Sequence, residues 1–154
     1  MLPATTQTRL ETQLDALNLF IDTLDADALT QRPPSDKWSI YEHIAHMGRY
    51  HEVFQMRMRR VLDEDGPNLG RYSAEGDPEF SNWLALSPDA AVQSLKQRRA
   101  DLISFVQGLS AEQLAGTGVH PVLGEMGIAL WLEFFLLHEA HHLYRILWLS
   151  KTGE

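Results

Sequence analysis

The stretch that most constrains this chain runs from Glu125 to Ser150, EMGIALWLEFFLLHEAHHLYRILWLS, a mostly apolar segment interrupted by His138 and His142. Wound as a helix at about 100° per residue, it places Trp131, Phe135, His142, Arg145 and Leu149 within about 60° of His138. Leu132, Leu136, Ala140, Leu143 and Leu147 lie opposite and are also apolar, so the helix is expected to be buried nearly all round. Such a helix needs cover on both sides. The Leu132, Leu136, Leu143 and Leu147 face is read as half of a homodimer interface, with cover by the connection from Asp63 to Ser87 as the alternative. The apolar run from Ile128 to Leu137 contains Glu133 and stops at a histidine cluster, too short and too polar at its end to span a bilayer.

The rest of the chain supplies further helices. Leu10, Leu14, Leu17, Ile21 and Leu24 recur at helical spacing and predict one amphipathic helix. Pro33 and Pro34, within the run Gln31 to Lys37, end it. Ser39 and Glu42 form a capping box with Trp38 just before it, opening a second helix expected to reach about Leu62. That helix carries His43, His46 and His51, and Gly48 alone only weakens it. Its apolar stripe, Ile40, Ile44, Met47, Phe54 and Met58, lies to one side of His46, which falls at the border between core and polar surface. From Asp63 to Ser87, Gly66, Pro67, Gly70, Gly76 and Pro78 predict a long connection. Ser87, Pro88 and Asp89 then start a third helix on Val92, Leu95, Leu102, Phe105 and Val106, closed by Gly108. A short turn from Ser110 to Leu114 and an irregular stretch lead back to the histidine helix. No segment alternates with β-branched residues, so the expectation is a single all-α domain over residues 1–154: four main helices, a long connection between the second and third, and no sheet.

His138 and His142, four residues apart, share a helical face. With His46 from the second helix they would make three neutral imidazoles with a fourth position open, the pattern of catalytic zinc; imidazole also suits nickel, iron and copper. The plainer alternative is a pair of partly exposed histidines favourable to the helix dipole. Glu139 lies about 100° from the ligand pair, so the HEAHH run does not act as the zinc-protease HExxH motif. His120 is expected to cap the approach to the fourth helix, with a hydrogen bond near the site as the alternative, and His43 and His51 to be surface or edge residues. A net charge of −8 with no clustered Lys and Arg argues against a nucleic-acid partner. The chain has no cysteine, so any thiol chemistry must bring its own sulfur. The first residues lack the apolar core of a signal peptide, and a cytoplasmic location is expected.

WSIYEHIAHMGRYHE, followed much later by HPVLGEMGIALWLEFFLLHEAHHLYRI, resembles the DinB/YfiT-like superfamily of four-helix-bundle metalloenzymes. Trp38, Ser39, Glu42 and His46 match its first motif; His120, Pro121, Gly124, Trp131, Phe134, His138 and His142 match its later elements. The resemblance implies a divalent metal, zinc or nickel first, on His46, His138 and His142, and often a dimer. Arg145 departs from the pattern, since related sequences often carry Gln there, and adds a fixed positive charge. Assigned activities in the superfamily include transfers that use bacillithiol or mycothiol. The implied function is thus a thiol S-transferase whose partners are a small-molecule thiol and an electrophile. Metal-assisted hydrolysis, or a non-enzymatic metal-binding or stress-associated bundle, are the alternatives. In that reading Arg145, Arg49 or Arg57 hold substrate carboxylates, and Trp131 with Tyr50 lines an apolar pocket.

Overall fold

Side-chain capping at Ser39 and Ser87 fixes the starts of two of the long helices. The computed structural model describes residues 1–34 and 38–153; positions 35–37 of the Gln31 to Lys37 break lie outside the described residues. Helix α1 (Ala4–Thr12), a 3₁₀ turn (Gln13–Asp15) and α2 (Ala16–Ile21) form the first limb, followed by the short α3 (Ala26–Thr30). In α4 (Ile40–Asp63), the Ser39 hydroxyl accepts from the Glu42 backbone N–H while the Glu42 carboxylate accepts from that of Ser39, closing the expected capping box. The short α5 (Phe80–Leu84) interrupts the long connection, and α6 (Pro88–Gln107) begins at a Ser87 cap with Pro88 in its first turn. After α7 (Ala111–Leu114), strands β1 (Thr117–His120) and β2 (Gly124–Gly127) pair antiparallel, and α8 (Ile128–Thr152) completes the chain.

The first limb, α4, α6 and α8 make the four-helix bundle, with α4 packed against both α6 and α8. Leu17, Ile44, Leu95 and Ile146 fill one end of the core and Phe54, Leu102, Leu132 and Phe135 the other. Among the described residues, no helix is long and apolar enough to cross a membrane.

Several expectations are corrected. The absence of a sheet fails at the β1–β2 hairpin, which is too short to show alternation and is turned by Gly124 at φ +77. The first helix is not continuous, because the 3₁₀ turn tightens it after Thr12; Leu10, Leu14, Leu17 and Ile21 still face inward. The fourth helix starts at Ile128, since Glu125 and Met126 belong to β2. Gly48 is a packing slot: a Cβ there would lie 2.1 Å from the Trp83 ring, which packs across α4 from α5. Most of the proposed dimer face is core, for Leu132, Leu136 and Leu143 are buried within the chain, and Leu147 is half-buried. Fully burying such a leucine is worth about 1.5–3 kcal/mol, which a monomer can gain unaided. The large apolar residues that α8 does expose are Leu130, Leu137, Tyr144 and Trp148.

Candidate metal centre

Helices α4 and α8 face one another across His46, His138 and His142. The Nε2 atoms of His46 and His138 lie 3.0 Å apart and those of His138 and His142 3.2 Å apart. The three ligand atoms all fall within 4.8 Å of one another. Three nitrogens bonded tetrahedrally to one ion at about 2.0–2.1 Å would stand roughly 3.3 Å apart, so the side chains fit a single divalent cation without a change of backbone. Burial sets their protonation. It pushes His46 down to about 4, aided by the charge of His43, and His138 down to about 3, aided by His46. His142 is lowered for the same reason, burial first and the neighbouring histidines next. At neutral pH all three therefore offer lone pairs, the state a metal requires.

Packing and one hydrogen bond hold the rings. Tyr50 lies with its ring centroid 4.0 Å from that of His138, and Trp38 lies 4.9 Å from His46. The Nδ1 atoms of His43 and His142 are 2.9 Å apart. Were an ion held on Nε2 of His142, the ring's proton would sit on Nδ1 and donate to Nδ1 of His43. His43 is therefore buried behind His142, not at the surface. Nδ1 of His46 is buried and has no hydrogen-bond partner among the described residues.

The centre opens on a cavity of about 380 Å³ whose wall includes His46, His138, Tyr50, Arg57, Arg71 and Tyr72, with His120, Val122, Leu123 and Phe134 from the hairpin side. Of the anticipated pocket residues, Tyr50 and Arg57 are on this wall. Trp131 is not: it is fully buried in the core, its indole N–H donating to the Gly118 carbonyl at 3.3 Å. Arg49 faces away, its guanidinium held by Asp77 and Glu52. Arg145 is half-buried beyond the cavity. His120 does not cap α8 but takes the alternative role, hydrogen bonding near the site: its Nδ1 accepts from the backbone N–H groups of Val122 and Leu123 and so shapes the hairpin turn beside the cavity. Arg71 and Tyr72 were not anticipated, because a loop without periodicity gives no sign of which way its side chains point.

A second polar cluster lies one residue along α8. Glu139 pairs with Arg99, which also donates to the Leu10 carbonyl at 2.8 Å and to Nε2 of His51 at 3.1 Å. Gln13 donates to the other Glu139 oxygen at 2.9 Å, and His51 Nδ1–H to the Met47 carbonyl at 2.7 Å. Burial, then the positive charge of Arg99, pushes His51 down to about 3, so it is neutral and its 3.7 Å approach to Glu139 is no ion pair. His51 is thus an interior residue, contrary to expectation, and Glu139 turns away from His138 and His142 as its helical angle requires.

Three comparisons bear on this geometry. The sequence profile of the DinB superfamily matches residues 9–146. A protein of Oceanobacillus iheyensis named "Putative metal-dependent hydrolase" is 23% identical over 144 residues, covering 90% of this chain and 79% of its own. Among solved structures, YfiT from Bacillus subtilis, described as a probable metal-dependent hydrolase with an unusual four-helix bundle topology, superposes with a TM-score of 0.77 at 17% identity. That match covers 97% of this chain and 86% of YfiT. A mycothiol-dependent maleylpyruvate isomerase reaches the same TM-score of 0.77 at 13% identity, over 94% of this chain and 61% of the isomerase.

Proposed function

Because this chain belongs to the DinB superfamily, we propose that it is a divalent-metal-dependent enzyme that joins a low-molecular-weight thiol, of bacillithiol type, to an electrophile. In that reading His46, His138 and His142 hold the ion. The observation that carries the reading is the character of the cavity wall: two of the three clustered imidazoles, His46 and His138, open onto it with His142 behind them, while among the described residues it contains no carboxylate to serve as a base toward water. The chain has no cysteine, so the sulfur must come from a substrate. A divalent ion bound there supplies the Lewis acidity that lowers the pKa of a thiol in the open position. The residues around it do the positioning. His43 fixes the tautomer of His142, and Tyr50, whose phenol is raised by burial, keeps its proton beside His138. In the transfer the thiol gives its proton to solvent water, its sulfur bonds to the electrophilic carbon, and the displaced group leaves with the electron pair of the broken bond.

Metal analysis of the purified protein, followed by turnover of a chromogenic electrophile with bacillithiol, glutathione or no thiol, tests this. Thiol-dependent turnover that disappears in His142→Ala is expected. If the wild type and all three His→Ala variants take up metal equally, the triad is wrong. The names of the Oceanobacillus relative and of YfiT favour a second reading, hydrolysis at the same centre. Thiol-independent ester cleavage lost in His142→Ala would decide for it. We keep homodimerisation within the proposal, moved to the exposed Leu137, Tyr144 and Trp148 stripe of α8. A monomer in sedimentation at micromolar concentration would remove it.

A further inference from the structure

We infer that Arg57 and Arg71 form an anion subsite in the cavity wall, which takes a carboxylate or phosphate group of the substrate. Arg57 is only 8% exposed. A guanidinium withdrawn from water to that degree is ordinarily matched by an acid. Arg99 has Glu139, Arg49 has Asp77 and Glu52, and even the more exposed Arg9 and Arg60 have Glu133 and Glu64. Arg57 has no carboxylate within ion-pair distance among the described residues. Its hydrogen bonds there go to neutral oxygens, the Gly70 carbonyl at 3.1 Å and the Tyr50 hydroxyl at 3.5 Å. These contacts aim the group and leave its charge unmatched, although acids outnumber Lys and Arg by 21 to 13 in this chain.

The loop that aims Arg57 also brings a second cation. Gly70 adopts φ +64, a left-handed conformation that favours glycine, and the next residue, Arg71, reaches the same cavity. His120, on the wall with them, is lowered by burial first and then by the charges of Arg57 and Arg71, a sign that both fields act in this space. Tyr72, Val122, Leu123 and Phe134 supply largely apolar cover for the rest of a ligand, and about 380 Å³ suits a small molecule. The ligand class is therefore a compact organic anion with an apolar or aromatic body. Its acidic group meets the guanidinium forks while its reacting end lies toward His46 and His138.

The inference rests on reading the cavity as a substrate site, but not on a metal being bound. Metal-stripped and zinc-loaded protein are titrated calorimetrically with benzoate, phenyl phosphate and the uncharged benzamide. Benzoate or phenyl phosphate should bind the metal-stripped protein at least about tenfold more tightly than benzamide, and the stronger of the two identifies the acidic group. Arg57→Gln should reduce that affinity about tenfold and Arg71→Gln about threefold, both leaving zinc affinity unchanged. Arg57→Lys keeps the charge without the fork and should fall between wild type and Arg57→Gln. Arg71 is exposed, so Arg71→Gln decides the matter if the Arg57 variants do not fold. Equal binding of the anions and benzamide, anion affinity indifferent to both arginines, or anion binding only in the zinc-loaded protein overturns the subsite. Arginine-dependent binding in a protein that takes up no zinc upholds it and overturns the metal centre instead.

Discussion

Two buried histidine clusters stand side by side in this bundle, and the contrast between them separates a structural polar group from a binding one. His51 belongs to a closed cluster in which donors and acceptors alternate: Met47 carbonyl, His51, Arg99, Glu139, Gln13. The other cluster, built on the same two helices, turns three imidazole nitrogens with lone pairs toward one point. Both are buried and both hold their histidines neutral. Burial therefore does not distinguish them; complementarity does. The first cluster completes itself, whereas the second is all acceptors and calls for a cation.

The sharpest break in that comparison is expected from Glu139→Leu. Arg99 would be left charged and buried without its partner, at a cost of about 3–5 kcal/mol in denaturant unfolding, with zinc affinity unchanged. A loss below about 1 kcal/mol would mean that the closed cluster is no more structural than its neighbour. His138→Ala should behave in the opposite way. Zinc affinity should fall by more than about 100-fold, since loss of an outer partner alone costs 10–100-fold. The metal-free protein should lose less stability than with Glu139→Leu. Chelator competition and melting with and without zinc measure both effects, and a zinc-induced rise in melting temperature equal to that of the wild type would count against His138 as a ligand.

The difference between the clusters was only half legible in the sequence. The capping box at Ser39 and Glu42, the Ser87 and Pro88 start, and the His138 and His142 pair could be read because each depends on short-range spacing, whereas His46, far away in the chain, was singled out by its place on a second helix and by the family resemblance. The closed cluster also left a trace: Val92, Leu95, Leu102 and Val106 are a core stripe whose missing member is Arg99, and Glu139 interrupts the buried stripe of α8 in the same way. A charge on a core stripe asks for an opposite charge on another, and pairing the two would have moved α8 inside the bundle and away from a dimer face. His43, three residues before His46, shares its face and was open to the same argument. Arg57 could be seen as a candidate, but Arg71 and Tyr72 could not, because their direction is set by the Gly70 turn and by packing across the connection.

His43 tests how far the binding cluster extends beyond its ligands. His43→Phe keeps a ring behind His142 but removes the acceptor for its Nδ1–H, and zinc affinity should fall about 10–100-fold. His43→Gln, whose side-chain oxygen can accept the same proton, should recover part of the loss. Equal zinc affinity in wild type and His43→Phe would reduce His43 to packing.

The last test concerns acid. The His51 pKa is about 3 in the folded protein, below its ordinary value of 6.5, so in the intervening range the unfolded chain binds a proton that the native one refuses. The contribution of His51 to stability is therefore complete above about pH 6.5 and declines as the pH falls toward 3, with a slope of at most about 1.4 kcal/mol per pH unit. His46 and His138, lowered to about 4 and about 3, act in the same direction. Metal-free His51→Gln, unfolded by denaturant between pH 4 and 7, should thus show a shallower dependence than metal-free wild type, shallower by up to one proton. An unchanged slope would mean that His51 is charged and paired with Glu139 in the native state. The nearer cluster would then be an ion network that loses stability as pH rises, and the distinction between a self-satisfied cluster and one waiting for a cation would have to rest on the three ligands alone.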